Sequence, residues 1–455
     1  MAEQTENKMG YAPMLGLIAS MSIPAMFSML VQALYNVVDS YFVAKLGVEA
    51  LTAVSLAFPI QNLMIAIGVG TGVGINSLVS RRLGEGRVDE ASLAATHGIL
   101  LGFVSGAAVA FAGLLFIKPF FSSFTQNRLV YNYGCDYAYV VMIFSFCMFV
   151  QINMEKTLQS TGNMIIPMCS QLIGAVTNIV LDPIMIFGLF GFPKLGVRGA
   201  AIATVTGQLA GMVFVLVMGL VKTHAVNITL KGFRLDGKTL KDIYSVGFPA
   251  ILMQSIGSLM VVGVNAILIK FTDVAVAIFG IYFKLQSFIF MPVFGLTHGL
   301  MPIMGFNYGA RNEKRVTEAL QIGSVIALCI MALGNLLFFF GADKLLMIFE
   351  ADAEMLKIGV PALKTISLCF VPAALGIMFS TLFQAIGMGG KSLMLSLLRQ
   401  IVVILPAAFL LAHFGLNFVW YAFPIAETVS FTAGFIVFLA IYKKHIKNMK
   451  PLEQI

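Results

Sequence analysis

Residues 24–61 read PAMFSMLVQALYNVVDSYFVAKLGVEALTAVSLAFPIQ, and residues 249–286 read PAILMQSIGSLMVVGVNAILIKFTDVAVAIFGIYFKLQ. Laid over one another, 225 positions apart, they bring Pro24 onto Pro249, Phe58 onto Phe283 and Gln61 onto Gln286. The same shift, without a gap, pairs Gly70 with Gly295, Gly84 with Gly309, Gly134 with Gly359, Gln159 with Gln384 and Gly162 with Gly387. Backbone-special and polar residues embedded in apolar runs do not fall into register through hydrophobicity alone, so the chain is a tandem duplication. Each copy has room for about six spans, and an even number returns the second copy to the orientation of the first. Parallel repeats about an axis along the membrane normal are an arrangement of secondary transporters.

Composition agrees. Of 455 residues, 59% are hydrophobic and 11% charged, with a mean hydropathy of +0.93. Apolar blocks lie near 14–43, 51–79, 93–117, 132–154, 164–191, 197–221, 243–269, 275–305, 316–341, 357–384, 392–413 and 417–442, each long enough to cross a hydrocarbon core of about 30 Å. The expected fold is an all-α polytopic membrane protein of twelve transmembrane helices, in two parallel six-helix repeats around a central cleft. Its expected domains are an N-lobe at 1–221, a linker at 222–242 and a C-lobe at 243–455. A short amphipathic helix is expected near Asp236, with Leu240 and Ile243 on one side.

With the N-terminus in the cytoplasm, 18 of the 29 Lys and Arg fall inside, among them Arg81, Arg82, Arg87, Lys231, Arg311, Arg315 and Lys443. Eight fall outside, and Lys284, Lys364 and Arg399 lie within spans. The positive-inside rule therefore places both termini in the cytoplasm of a cell membrane. The net charge of +8 then reflects topology and contact with the lipid bilayer, with no nucleic-acid partner. The polar start MAEQTENKMG reads as no cleaved signal, and five scattered Cys read as buried hydrophobes.

Function is sought where polar groups sit at membrane depth, because a carboxylate there costs roughly 2.5–3.5 kcal/mol even on gentle scales. Asp39, Asp182 and Glu427 qualify. Ser28, Gln32, Asn36 and Asp39 form a polar stripe on the first helix, Asn178 and Asp182 are four apart on the fifth, and the sixth adds Thr204 and Gln208. No Lys or Arg is read at comparable depth in the first half. Lys284 and Arg399 stand either as counter-charges or as snorkelling or cavity-lining side chains, and Glu427 either as structural or, like Lys284, as a substrate-cleft residue. Gln61 and Gln286 read as helix–helix glue or as cleft lining. His97 reads as peripheral. The repeat carries Asp39 onto Val264 and Asp182 onto Ala407, so only the first half can take up and release a proton or cation. The second half is rich in Met and Phe, Met291 among them, which suits a pocket for several shapes or an ordinary core.

The run IPAMFSMLVQALYNVVDSYFVAKLGVEALTAVSLAFP, the loop RRLGEGRVDEA, NIVLDPIMIFG, FRLDGKTLKDIYSVGFPA and FNYGARNEKRV together resemble the MATE (multidrug and toxic compound extrusion) family, in its MepA-like bacterial branch. The resemblance covers essentially the whole chain. It implies a two-lobed antiporter that exports bulky, often cationic, drugs against protons or sodium. It also implies cation-site roles for Asp39, Gln32, Asn178 and Asp182, with Asn153 and Thr204 more loosely aligned, and a sodium ion could be held at Asp39, Asn178 and Asp182. The acids that some members carry in the seventh and tenth helices are absent here, which favours coupling through the first half.

The expected protein is therefore no enzyme and needs no cofactor beyond the coupling ion, H+ or Na+. Its partners are small-molecule drugs or organic cations, and a monomer is expected to suffice. The run GFRLDGKT at 232–239 fits G-x-x-x-x-G-K-[ST], but it lies in the polar linker that leads into a span, with no strand pattern before it, so it is not read as a P-loop and ATP is not expected to drive the protein. A lipid-linked precursor flippase of the same superfamily is the nearest alternative, although such a protein would line its cleft with cations. A major facilitator would carry an Asp-Arg pair after the second helix, where this chain reads NSLVSRRLGEGR. A channel or passive scaffold has no use for buried acids.

Overall fold

The computed structural model describes residues 7–221, 225–229 and 233–449. Lys222, His224 and Lys231 of the linker, the first six residues and the tail from Lys450 lie outside them. Every regular element among the described residues is helical. The first series is α1 (Lys8–Tyr11), α2 (Met14–Ala44), α3 (Val48–Gly84), α4 (Val88–Phe124), α5 (Arg128–Ile143), α6 (Phe146–Ser160), α7 (Ile165–Phe187) and α8 (Val197–Val221). The second is α9 (Gly237–Leu268), α10 (Asp273–Gly309), α11 (Glu313–Met347), α12 (Ala353–Ser367), α13 (Phe370–Ala385), α14 (Gly389–Leu397), α15 (Ile404–Ala412), α16 (Leu416–Val419) and α17 (Ala422–Ile441), with a π-helical stretch at Leu398–Val403 between α14 and α15.

The duplication is visible in these bounds. A shift of 225 carries Val48–Gly84 onto Asp273–Gly309 at both ends, and the first residues of α4 and α8 onto those of α11 and α17. Among the described residues, ten helical segments are each long and apolar enough to cross a bilayer; α5 with α6 and α12 with α13 pass as pairs, bent by 45° and 44°. Counting each pair as one span gives twelve. The sequence reads 132–154 and 357–384 as single blocks, and the bends are the finding. A broken helix frees carbonyls that need other donors, and Asn335 Nδ2 meets the Ser367 carbonyl at 2.6 Å in the second bend. In the first, Ser145 Oγ instead reaches across to the Gly106 carbonyl of α4 at 3.3 Å. Each pair ends at a left-handed glycine, Gly162 (φ 90°) and Gly387 (φ 86°), equivalent in the repeat.

No separate amphipathic helix stands near Asp236; its residues are the first turns of α9. Asp236 caps them, accepting from the Thr239 backbone at 2.9 Å and from the Thr239 hydroxyl, contacts that hold its carboxyl below the usual carboxylate range.

The chain divides into two compact units, Phe27–Gly247 and a discontinuous one made of Met1–Met26 with Phe248–Ile455. The divisions fall inside α2 and α9 rather than in the polar linker. In the first unit Arg82, at the end of α3, reaches Glu85 (2.7 Å), Glu90 (3.2 Å) and Asp242 (3.4 Å), tying α4 and the start of α9 to α3. Its apolar core gathers Phe121, Tyr137, Phe149 and Ile186. In the second unit Arg315 of α11 holds the first residues, donating to the carbonyls of Met9 (3.1 Å) and Ala12 (2.8 Å). Its aromatic core packs Phe279 and Tyr282 of α10 against Trp420, Phe423 and Phe338.

Candidate functional site

Five helices of the first unit bring polar groups together. Asp182 of α7 is wholly buried, as are Asn178 one turn before it and Thr204 of α8. With the Asn178 amide turned to satisfy both its atoms, its nitrogen donates to Asp182 Oδ2 at 3.1 Å and its oxygen accepts from the Thr204 backbone at 3.1 Å. Asp39 of α2 lies within hydrogen-bonding range of Asp182, and its Oδ1 is buried with no partner. Tyr35, one turn earlier on α2, bonds Thr204. Tyr137 of α5 borders the same acids and its hydroxyl accepts from Gln61 Nε2 of α3 at 2.9 Å.

Chemically, two carboxyls this close repel one another unless a proton or a cation stands between them. The rest of the shell offers Thr204, two tyrosine hydroxyls and an amide whose nitrogen faces the acid. Such a set can hold either a shared proton or a small cation between the acids.

The other candidates are placed as follows. Gln32 and Asn36 are exposed, while Tyr35 and Asp39, four apart on α2, lie by Thr204 and Asp182. Asn153 of α6 is buried and donates to the Gly98 carbonyl of α4 at 2.8 Å; the structure does not bring it to Asp182. In the second unit Val264, the register partner of Asp39, is wholly buried. Gln286 keeps its side-chain oxygen buried without a partner, and Met291 is half-buried. Glu427 of α17 pairs with Arg399 at 3.2 Å, across from the π-helical stretch. Lys284 reaches over the Phe349 ring, 6.0 Å from its centre, the snorkelling geometry.

One reading is overturned and one pair was passed over. Lys156 is buried beside a buried acid, Glu155, near the end of α6. Both follow directly on the apolar block 132–154 and look like a solvated end, but α6 runs on to Ser160. His97 is not peripheral; it is wholly buried, with Nδ1 donating to the Leu93 carbonyl (2.8 Å), Nε2 accepting from the Asp236 backbone (3.0 Å), and its ring 4.7 Å from that of Phe233. Tyr35 and Tyr137 were missed. Tyr35 could have been found as the residue one turn before Asp39; nothing local marks Tyr137.

The MatE family model matches residues 24–184 and again 249–410, starting at the two prolines that open the repeats. The chain belongs to the MatE family. As a MATE transporter of the MepA-like branch it is a multi-pass membrane carrier and not an enzyme. It is 28% identical over 421 residues to the multidrug export protein MepA of Staphylococcus haemolyticus, covering 92% of each chain. It is also 28% identical over 422 residues to the FAD transporter of Shewanella oneidensis, covering 91% of this chain and 92% of that one. Among solved structures, the outward-facing conformation of a multidrug resistance MATE family transporter superposes with a TM-score of 0.89 at 29% identity, over 97% of this chain and 99% of the other.

Proposed function

We propose that this MATE transporter is a secondary active exporter of bulky hydrophobic or cationic compounds, exchanged for protons by alternating access. It would act in the cell membrane as a monomer with both termini in the cytoplasm. The observation that carries the reading is the contact of Asp39 with Asp182, one half-buried and one fully buried acid, in a shell of hydroxyls and a single amide. A proton entering from outside neutralises the pair; its loss to the inside restores a charge. Drug and proton then bias the same conformational equilibrium in opposite directions, which is what couples their fluxes. Similarity to MepA supports drugs as cargo.

A second cargo class deserves weight because the chain is as similar to an FAD transporter as to MepA. An anionic dinucleotide, like a lipid-linked pyrophosphate carried by a flippase, calls for uncompensated cations. Here the Arg399 guanidinium is neutralised by Glu427 and Lys284 is drawn over an aromatic ring, so cationic or neutral drugs fit better. Ethidium efflux from loaded cells, with and without a protonophore and with excess FAD, tests the choice. Uncoupler-sensitive efflux that FAD leaves unchanged is expected. Efflux indifferent to the uncoupler would refute antiport, and inhibition by FAD would move the cargo to flavin nucleotides.

A further inference from the structure

Glu155 is the buried acid that the reading above does not use. It is 3% exposed and its carboxylate accepts from Gln151 Nε2 (3.1 Å), Ser170 Oγ (2.8 Å) and Gln171 Nε2 (2.9 Å). Among the described residues the charged group that acts on it is the neighbouring Lys156 ammonium, which donates to Gln159 Oε1 at 3.0 Å. From α7 it faces Ser170 and Gln171, and from α8 the backbone at Gly211. The side-chain contacts of the carboxylate are all from donors, while the Gly211 carbonyl accepts from Ser170; the ligand considered for this site is a proton.

Ser170 makes the site a two-state element. Its one hydroxyl hydrogen has two acceptors in range, Glu155 Oε1 at 2.8 Å and the Gly211 carbonyl at 3.0 Å. An ionised Glu155 takes that hydrogen. A protonated Glu155 donates its own hydrogen to Ser170 Oγ, and the Ser170 hydroxyl turns to Gly211. Protonation thus keeps a hydrogen bond in the α6–α7 contact with its direction reversed and adds one in the α7–α8 contact. That seam leads to the outer acids: a Cβ on Gly207 would meet the Gly174 carbonyl at 2.5 Å and Asn178 Cβ at 3.2 Å, and one on Gly174 would lie 4.0 Å from Gln151 Nε2. α6 ends at Ser160, so Glu155 lies little more than one turn from a helix end through which a proton can leave.

We propose that Glu155 is a second proton-binding group of the transporter, exchanging with the aqueous phase at the end of α6 and signalling through Ser170 to the α7–α8 seam that carries Asn178 and Asp182. The proposal rests on the proton-antiport reading and adds one proton per cycle to it. The test is the steady-state ethidium gradient held by purified protein in liposomes under an imposed pH difference with the potential clamped. One proton fewer lowers the gradient about tenfold per pH unit of driving force. Glu155→Gln is expected to show that loss and Glu155→Asp, which keeps the carboxyl, to restore it. A Glu155→Gln gradient within twofold of wild type would overturn the proposal. If Glu155→Gln does not fold, a tenfold loss in Glu155→Asp, with its carboxyl retained, would overturn it too. If the wild-type protein holds no gradient at all, it is the antiport reading that fails.

Discussion

At the scale of single residues, the account turns on what can titrate. Asp39→Asn keeps shape and hydrogen-bonding capacity but cannot carry the shared proton, so it should leave expression and melting temperature near wild type and abolish energised efflux; wild-type drug resistance in a well-expressed variant would contradict this. Asp182→Asn should cost transport far more than Asn265→Ala, beside the buried Val264 that replaces Asp39 in the repeat, and equal losses at matched expression would mean that both units couple. The acids at 39 and 182 were legible in the sequence because a carboxylate in a long apolar run needs a reason. Glu155 and Lys156 were not, since two adjacent opposite charges at the edge of an apolar block look the same whether the helix stops or continues. Tyr137 was illegible for another reason: its place beside Gln61 depends on how α5 packs on α3, 76 positions away in sequence.

At the scale of elements, every span was legible in the sequence, with ends displaced by up to about seven residues, because the same glycines, prolines and glutamines punctuate both halves. Breaks inside spans were not, as the apolar pattern runs through Ser145 and Leu368 without a signal and the bends are fixed by neighbours such as Asn335 and Gly106. Close helix approach gives a sharp test. An added methyl at Gly207 meets the Gly174 backbone, which cannot give way as a flexible side chain can, so Gly207→Ala should destabilise by about 1–3 kcal/mol and displace Asn178, lowering transport. Gly280, in α10, has nothing within 4 Å of its added Cβ, and Gly280→Ala should gain about 0.5–1 kcal/mol. Thermal melts of the two purified variants check the pair, and equal shifts would show that the α7–α8 seam is looser than described. The repeat also maps Gly86 (φ 73°) onto Arg311, which holds φ 54°. Relief of that left-handed conformation should make Arg311→Gly more stable in the same melts, by about 1–2 kcal/mol.

At the scale of the whole molecule, a duplicated chain has divided its work. The first unit keeps two acids in contact at Asp39 and Asp182 and a third at Glu155, while the second neutralises its own acid, Glu427, with Arg399. The central claim is that the first unit's acid pair carries protons. Inverted membrane vesicles loaded with a cationic dye assay, given a proton gradient without sodium and then a sodium gradient without a proton gradient, test it most directly. The expected result is dye uptake driven by the proton gradient alone and lost in Asp39→Asn; uptake that appears only with the sodium gradient would make the Asp39–Asp182 pair a sodium site and contradict the account.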